Sequence, residues 1–404
     1  MAGKILLTEW ENGVLSAFWD SDKGRMVQME YEANDNKETT SVGDIYIGRV
    51  RDVVPNLEAA FIEFDKGKKG YYSFRDNPPC IFLNKKQTQK ICEGDAILVQ
   101  VQKEAVKTKD LVLTSAVSFT GNSCVLVAGK NIYSISKKIK DSRWRQELKQ
   151  KLEQAFPLSE KDYGFIVRTA AYSCSEEEIL AECRKLAVQW EDLKEVAKYR
   201  TCYTKLYNSP RDYLRMLLGS VQREAEEIVT DSSMLFHQLQ EFLQVNNPSL
   251  LGKLRFYQDD LLPLYKLYHV EKAVSEALSK KVWLKSGGYL IIESTEACHV
   301  IDVNTGKYES KKRTEESFLK LNKEAAIEIA RQLRLRNLSG IVIVDFINME
   351  QPESKWELIA CLKQVLEKDP VGCYFVDFTK LGLAELTRRK ERKPFREQME
   401  SVKN

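Results

Sequence analysis

Two aspartates, Asp302 and Asp345, lie in or directly after short apolar runs, in HVIDVN and GIVIVD. Two carboxylates that share a site cannot both stay ionised side by side without a counter-charge, and a hard divalent cation such as magnesium takes oxygen ligands of this kind. Whether they share a site depends on the chain between them. The runs Tyr289 to Ile292 and Val300 to Val303 are short, β-branched and bounded by polar turns, which predicts strands. From about Thr314 to Leu338, the residues Phe318, Leu321, Ala325, Ile329 and Leu333 recur every three or four positions. That spacing predicts a helix with one stripe on a core and its Lys, Glu and Arg residues in water, stopped by Ser339-Gly340. Ile341 to Val344 is apolar at every position, the pattern of a strand buried on both faces. A strand, helix, strand crossover makes its two strands parallel neighbours or near neighbours, so both carboxylates reach one sheet edge. A metal centre is one reading. The other is that each Asp caps a strand end or pairs with an arginine, and spacing alone leaves both open.

The segments STEACHVIDVNTG (294–306) and NKEAAIEIARQLRLRNLSGIVIVDFINM (322–349) resemble the catalytic part of the bacterial ribonuclease E/G family, and the resemblance runs from the first strands to about Met399. It implies a multidomain protein of mixed α+β and α/β class. An RNase H-like subdomain would be made from 1–38 and 213–280, an OB-type RNA-binding barrel from 39–120, a 5′-sensor subdomain from 121–212 and a DNase I-like catalytic subdomain from 281–404. It also implies an endoribonuclease in which Asp302 and Asp345 hold Mg2+, with Asn304 close to the reacting phosphate. Glu296, in the matched STEA segment, is expected to orient a metal water or an aspartate from outside the ligand set.

The remaining composition bounds the protein without naming it. At 404 residues with 43% hydrophobic content, there is material for two or three cores. A net charge of +3 is too small to prove contact with nucleic acid, so any basic surface must be local. The nine cysteines include no C-x-x-C pair and the N-terminus carries Glu9 and Glu11 in place of an apolar signal core, which predicts reduced thiols in a cytoplasm. No apolar run is long enough to span a bilayer. The C-P-x-C zinc motif that follows in many family members is not within these 404 residues. No structural zinc is therefore expected, and a homo-oligomer would have to form without a zinc link.

In chain order, ILLTEW, VLSAFW and RMVQME read as three strands, the first two joined by an Asn12-Gly13 turn. Such a meander must pack on something later in the chain. DIYIGRV, EAAFIEF, DAILVQV and DLVLTS suggest a small barrel, with Phe61, Tyr71 and Tyr72 interleaved with lysines that include Lys107 and Lys109. Aromatic faces can stack unpaired bases while lysines track phosphates, or the aromatics are core and the lysines solvated. The family's barrel favours the first, with Phe61 and Tyr71 as stackers. GFIVRTAAYSCSEEEIL reads as a strand, a loop and a helix opened by a Ser175/Glu178 capping box. By resemblance, Arg168 and Thr169 sense a 5′-monophosphate end. Lys311, Lys312 and Arg313, just beyond the first carboxylate, would hold RNA phosphates beside the acidic centre.

The resulting expectation is a magnesium-dependent endoribonuclease on single-stranded RNA in RNA processing and decay, stimulated by a 5′-monophosphate. The competing class is a non-catalytic RNA-binding or ribosome-associated protein that keeps the fold.

Overall fold

The computed structural model describes residues 3–34, 40–77, 79–84, 88, 90–103, 110–157, 161–218, 224–306, 314–390 and 392–400. The chain divides into two compact units, one of 1–35, 212–217 and 221–404, the other of 36–211 and 218–220. Both mix helices with sheets. Among the described residues no helix is long and apolar enough to cross a membrane.

In the first unit, strands Gly3–Trp10, Gly13–Asp20 and Arg25–Ala33 form the expected meander, and Gly3–Trp10 pairs in parallel with Ala225–Thr230. With Leu254–Phe256 they make a five-stranded sheet. The first turn is Glu11-Asn12, one residue earlier than the Asn12-Gly13 turn the sequence suggests, and Glu11 takes the left-handed φ of 50°. Gly13 serves a different need. A Cβ there would lie 2.3 Å from the Glu32 carbonyl oxygen, so its glycine permits close approach of the third strand.

The same unit holds a six-stranded sheet in the order Lys281–Trp283, Tyr289–Ser294, Cys298–Asn304, Gly340–Asp345, Ala384–Arg388 and Cys373–Phe378. Cys298–Asn304 and Gly340–Asp345 are adjacent and parallel, joined through the helix Glu315–Leu335. Thr314 caps that helix by a reciprocal box with Ser317. Leu321, Ala325, Ile329 and Leu333 are fully buried and pack with Leu290, Ile301, Val342 and Val344 of the sheet and with Leu358 and Leu362 of the helix Pro352–Leu366. Removing one such leucine side chain typically costs 2 to 5 kcal/mol, so this stripe is what holds the two aspartate strands to the helix.

Three expectations about this segment are corrected. The helix ends at Leu335, where Asn337 takes the left-handed conformation and the Leu338 N–H bonds the Leu333 carbonyl, ahead of Ser339-Gly340. Its charged face is not all in water: Glu328, Arg331 and Arg336 are buried. Arg25 donates to Glu328 at 2.7 Å, Arg331 to the Met26 carbonyl at 2.7 Å, and Arg336 to the Ser279 carbonyl at 2.6 Å, so this face is satisfied by the Arg25–Ala33 strand and by the helix Val270–Leu278 with the residues that follow it. Charges can be buried there because each meets a partner. Finally, the Gly340–Asp345 strand is not covered on both faces, since Val342 and Val344 are buried while Ile341 is 55% exposed. The helices Glu315–Leu335 and Pro352–Leu366 pack on the side that Val342 and Val344 face.

The second unit contains a closed five-stranded barrel of Ile45–Val54, Ala59–Asp65, Lys68–Ser73, Val112–Thr114 and Ala96–Lys103, sealed by pairing of the first with the last. Lys68–Ser73 is a strand the apolar patterning did not reveal, because it reads KKGYYS. Gly70 lets Leu113 pack against its backbone, where a Cβ would meet that side chain at 2.7 Å. A four-stranded sheet, Tyr133–Ile135, Tyr163–Val167, Cys124–Ala128 and Ser118–Thr120, follows and packs with the helices Ser142–Ala155 and Glu176–Ala197 around Phe119, Phe165 and Trp190. Ser175 and Glu178 form the anticipated capping box.

Candidate active site

Along Cys298–Asn304 the side chains alternate, with His299, Ile301 and Val303 turned to the core and Val300 and Asp302 exposed. Along the neighbouring parallel strand Val344 is buried and Asp345 exposed. Asp302 and Asp345 are direct register partners, so both carboxylates leave the same face of adjacent strands, whose axes are about 4.8 Å apart. Asn304, two residues further on that face, donates from Nδ2 to Asp302 Oδ2 at 2.7 Å. This bond restrains one aspartate and leaves its other oxygen unengaged by that amide.

The loop after Asp345 is pinned from below. Asn322, fully buried in the apolar stripe of the helix, donates from Nδ2 to the Ile347 carbonyl at 2.8 Å and accepts from the Ile347 N–H at 3.1 Å. Sequence reasoning passed over this residue, although an asparagine beside Leu321 on a buried helical face has to find such partners. On the other strand, Gly306 sits at φ +54°, and a Cβ there would come within 2.5 Å of the Gly287 carbonyl oxygen. Only glycine fits both demands, which brings the VNTG turn against the KSGG turn.

The donor set suits a hard divalent cation. Two exposed carboxylates stand in register, and among the described residues neither forms an ion pair with a lysine or arginine. Oxygen donors with no competing ammonium are what magnesium takes, with waters filling its other positions. Among the described residues no group of three or more His, Cys, Asp or Glu is placed to hold a metal ion.

The Ribonuclease E/G family model matches residues 118–391. Ribonuclease G of Haemophilus influenzae is 34% identical over 402 residues, covering 97% of this chain and 80% of that protein. The chain belongs to the ribonuclease E/G family. Ribonuclease G of Escherichia coli K12 is 31% identical over 402 residues, with 81% of its length covered, and ribonuclease E of a Nostoc species is 34% identical over 359 residues, with 51% of its length covered.

Of the other residues expected near this site, Glu296 is placed elsewhere. Glu296 lies in the turn before Cys298–Asn304, at the opposite end of the strand from Asp302. The four steps of strand from Cys298 to Asp302, at about 3.3 Å each, put it more than about 13 Å from Asp302, too far to orient a metal water or an aspartate. His299 faces the core, where its Nδ1 meets the Ser294 hydroxyl at 2.8 Å and its Nε2 the Ser339 carbonyl at 3.1 Å. A carbonyl only accepts, so Nε2 carries a proton. Lys311, Lys312 and Arg313 lie outside the described residues, as do Lys107 and Lys109 of the barrel.

Burial lowers the His299 pKa below its ordinary 6.5, partly offset by the Ser339 carbonyl. The unfolded chain therefore takes up this proton at a higher pH than the folded one, and stability falls as pH drops below about 6.5. Denaturant midpoints measured from about pH 7 to about pH 5 should decline more steeply for the wild type than for His299→Gln. Equal slopes would remove His299 from the acid response.

In the second unit, Phe61 and Tyr71 are register partners on neighbouring barrel strands, with ring centroids 6.1 Å apart in an edge-to-face pair. Both are half-buried, whereas Tyr72 is core and donates to Ser115 Oγ at 2.8 Å. Arg168 follows the strand Tyr163–Val167, and its Nη1 donates to the Gly121 and Leu218 carbonyls at 2.7 and 2.6 Å. Thr169 is exposed, with its hydroxyl 2.8 Å from that of Ser136. Arg168 thus ties down the backbone at Gly121 and Leu218, a structural duty that sequence alone does not reveal.

Proposed function

We propose that this protein is a magnesium-dependent endoribonuclease that cuts single-stranded RNA during RNA processing and decay, in the cytoplasm, and that a 5′-monophosphate on the substrate raises its rate. Membership of the ribonuclease E/G family makes it an endoribonuclease. The observation that carries the finer reading is the register pair Asp302 and Asp345, exposed on one sheet face with Asn304 bonded to the first.

These two aspartates would hold the cation, which when bound polarises a phosphate oxygen and makes water a stronger nucleophile at neutral pH. Asn304 restrains Asp302, Asn322 restrains the loop beyond Asp345, and both keep the carboxylates aimed at one place before substrate arrives. Preorganisation of this kind is what makes charged groups effective in catalysis. On this reading the chain would divide into an RNase H-like part from 1–38 and 213–280, an OB-type barrel from 39–120 that grips RNA through Phe61 and Tyr71, a 5′-sensor part from 121–212 and a DNase I-like part from 281–404. The Thr169 hydroxyl and the Arg168 guanidinium would meet the terminal phosphate. The half-buried Phe61 and Tyr71 pair of the barrel also suits the rival class, a binding protein without catalysis.

The experiment is cleavage of one labelled RNA carrying a 5′-monophosphate, hydroxyl or triphosphate, with magnesium and then with EDTA. The wild type should prefer the monophosphate and stop in EDTA. Arg168→Ala should lose the preference, and Thr169→Val should reduce it without disturbing the Gly121 and Leu218 contacts. Charge-assisted bonds of about 1.5 to 3 kcal/mol make the preference large but incomplete. Equal wild-type rates on the three ends would sink the sensor, and undiminished cutting in EDTA would sink the metal.

A further inference from the structure

We propose that Trp283, with Lys281 and Tyr289, forms a stacking platform for single-stranded RNA on the sheet face that carries Asp302 and Asp345. The inference rests on the ribonuclease reading above and adds a substrate contact to it. The register places these residues with unusual directness: Lys281 pairs with Ile291, Ile291 with Asp302, and Asp302 with Asp345, so the lysine stands in one row with both carboxylates. In the next row, Trp283 pairs with Tyr289 and Tyr289 with Asn304. Register partners leave a sheet on the same face, and two strand spacings, about 10 Å, separate Lys281 from Asp302 and Trp283 from Asn304, with Tyr289 one spacing from Asn304.

The three side chains form a unit. The Trp283 and Tyr289 rings meet edge to face at 5.3 Å, and the Lys281 ammonium lies 4.1 Å from the centre of the first ring and 3.7 Å from that of the second. Trp283 is nonetheless 57% exposed, so its indole is not spent on the core. Neither Lys281 nor the exposed Lys285 in the following turn forms an ion pair with a carboxylate among the described residues. A partly exposed indole beside two lysines that have no carboxylate partner among the described residues fits an unpaired base and its phosphate, and a duplex, which hides its base faces, could not use the ring. A lysine on an edge strand can also serve only to discourage strand pairing between copies, and the test separates that role.

Affinity is measured with the full chain in EDTA, using a fluorescent single-stranded oligoribonucleotide and the same sequence as a duplex. Trp283→Ala should weaken single-strand binding by about five- to a hundredfold, with duplex binding unchanged. Trp283→Phe should restore most of the loss, and Lys281→Ala should lower the salt slope by about one. In magnesium, Trp283→Ala should raise KM with kcat little changed, because the ring binds substrate and transition state alike. Unchanged single-strand affinity in Trp283→Ala, while the wild type still cuts RNA, would overturn the platform alone. So would a changed oligomeric mass with unchanged affinity, which would make this edge a contact between copies. A wild type that neither bound nor cut single-stranded RNA would instead remove the reading beneath it.

Discussion

Asp302→Asn and Asp345→Asn should each lower RNA cleavage by about a hundredfold or more while leaving single-strand binding within a few-fold of wild type. The reasoning is electrostatic. Each carboxylate supplies one negative charge to a cation that the phosphate also approaches, and an amide of the same shape supplies none. The substitution sits on an exposed face, so it removes no core packing. At Asp302 the Asn304 amide still finds an oxygen to donate to, which keeps the local structure intact. Single-turnover cleavage at saturating magnesium, compared across a magnesium titration, is the measurement. A ligand role also predicts that the variants need more magnesium for their residual rate. Wild-type rates in either variant would mean that the carboxylate pair is not the reacting centre, whatever the register shows.

How much of this site could be read without coordinates follows from which interactions are local. The two aspartate strands and the helix between them were legible because β-branched runs and a three-to-four spacing report local conformation directly, and a crossover of that kind constrains strand direction. Asn322 was not legible as a clamp, because its partner, Ile347, becomes a neighbour only after the helix packs on the sheet. The same is true of Glu328 and Arg331, which look like a solvated face in sequence and are buried against Arg25 and Met26, some three hundred residues earlier. Glu296 was misplaced for the opposite reason. Nearness in a motif is not nearness in space: Glu296 lies in the turn, and the strand from Cys298 to Asp302 spans about 13 Å. Helix termination erred similarly, since glycine is the usual left-handed residue and here Asn337 takes that role.

Asn337 is held in place by a second residue, and removing it should produce the largest stability loss predicted for the chain. Arg388, on the strand Ala384–Arg388, donates from Nε to Asp369 Oδ2 at 2.8 Å and from Nη1 to Asn337 Oδ1 at 2.9 Å and the Leu338 carbonyl at 3.1 Å. Arg388 and Asp369 side chains are 3% and 4% exposed, so the pair is dry. Arg388→Ala would leave the Asp369 carboxylate buried without its partner and the end of the long helix without its donor. Breaking a buried pair on one side costs about 3 to 5 kcal/mol, a large fraction of a typical domain's stability. Replacing both members with well-packed apolar residues, as in Arg388→Met with Asp369→Leu, should cost much less, because no charge is then stranded. The loss should reach the active site as well: Leu338 leads directly into Gly340–Asp345, so fraying there loosens the strand that presents Asp345. Denaturant unfolding of the single and double variants, with hydrogen exchange followed across 337–345, is the test. A single variant within about 1 kcal/mol of wild type, or a double variant as unstable as the single, would show that the pair is not what secures the helix end beside Asp345.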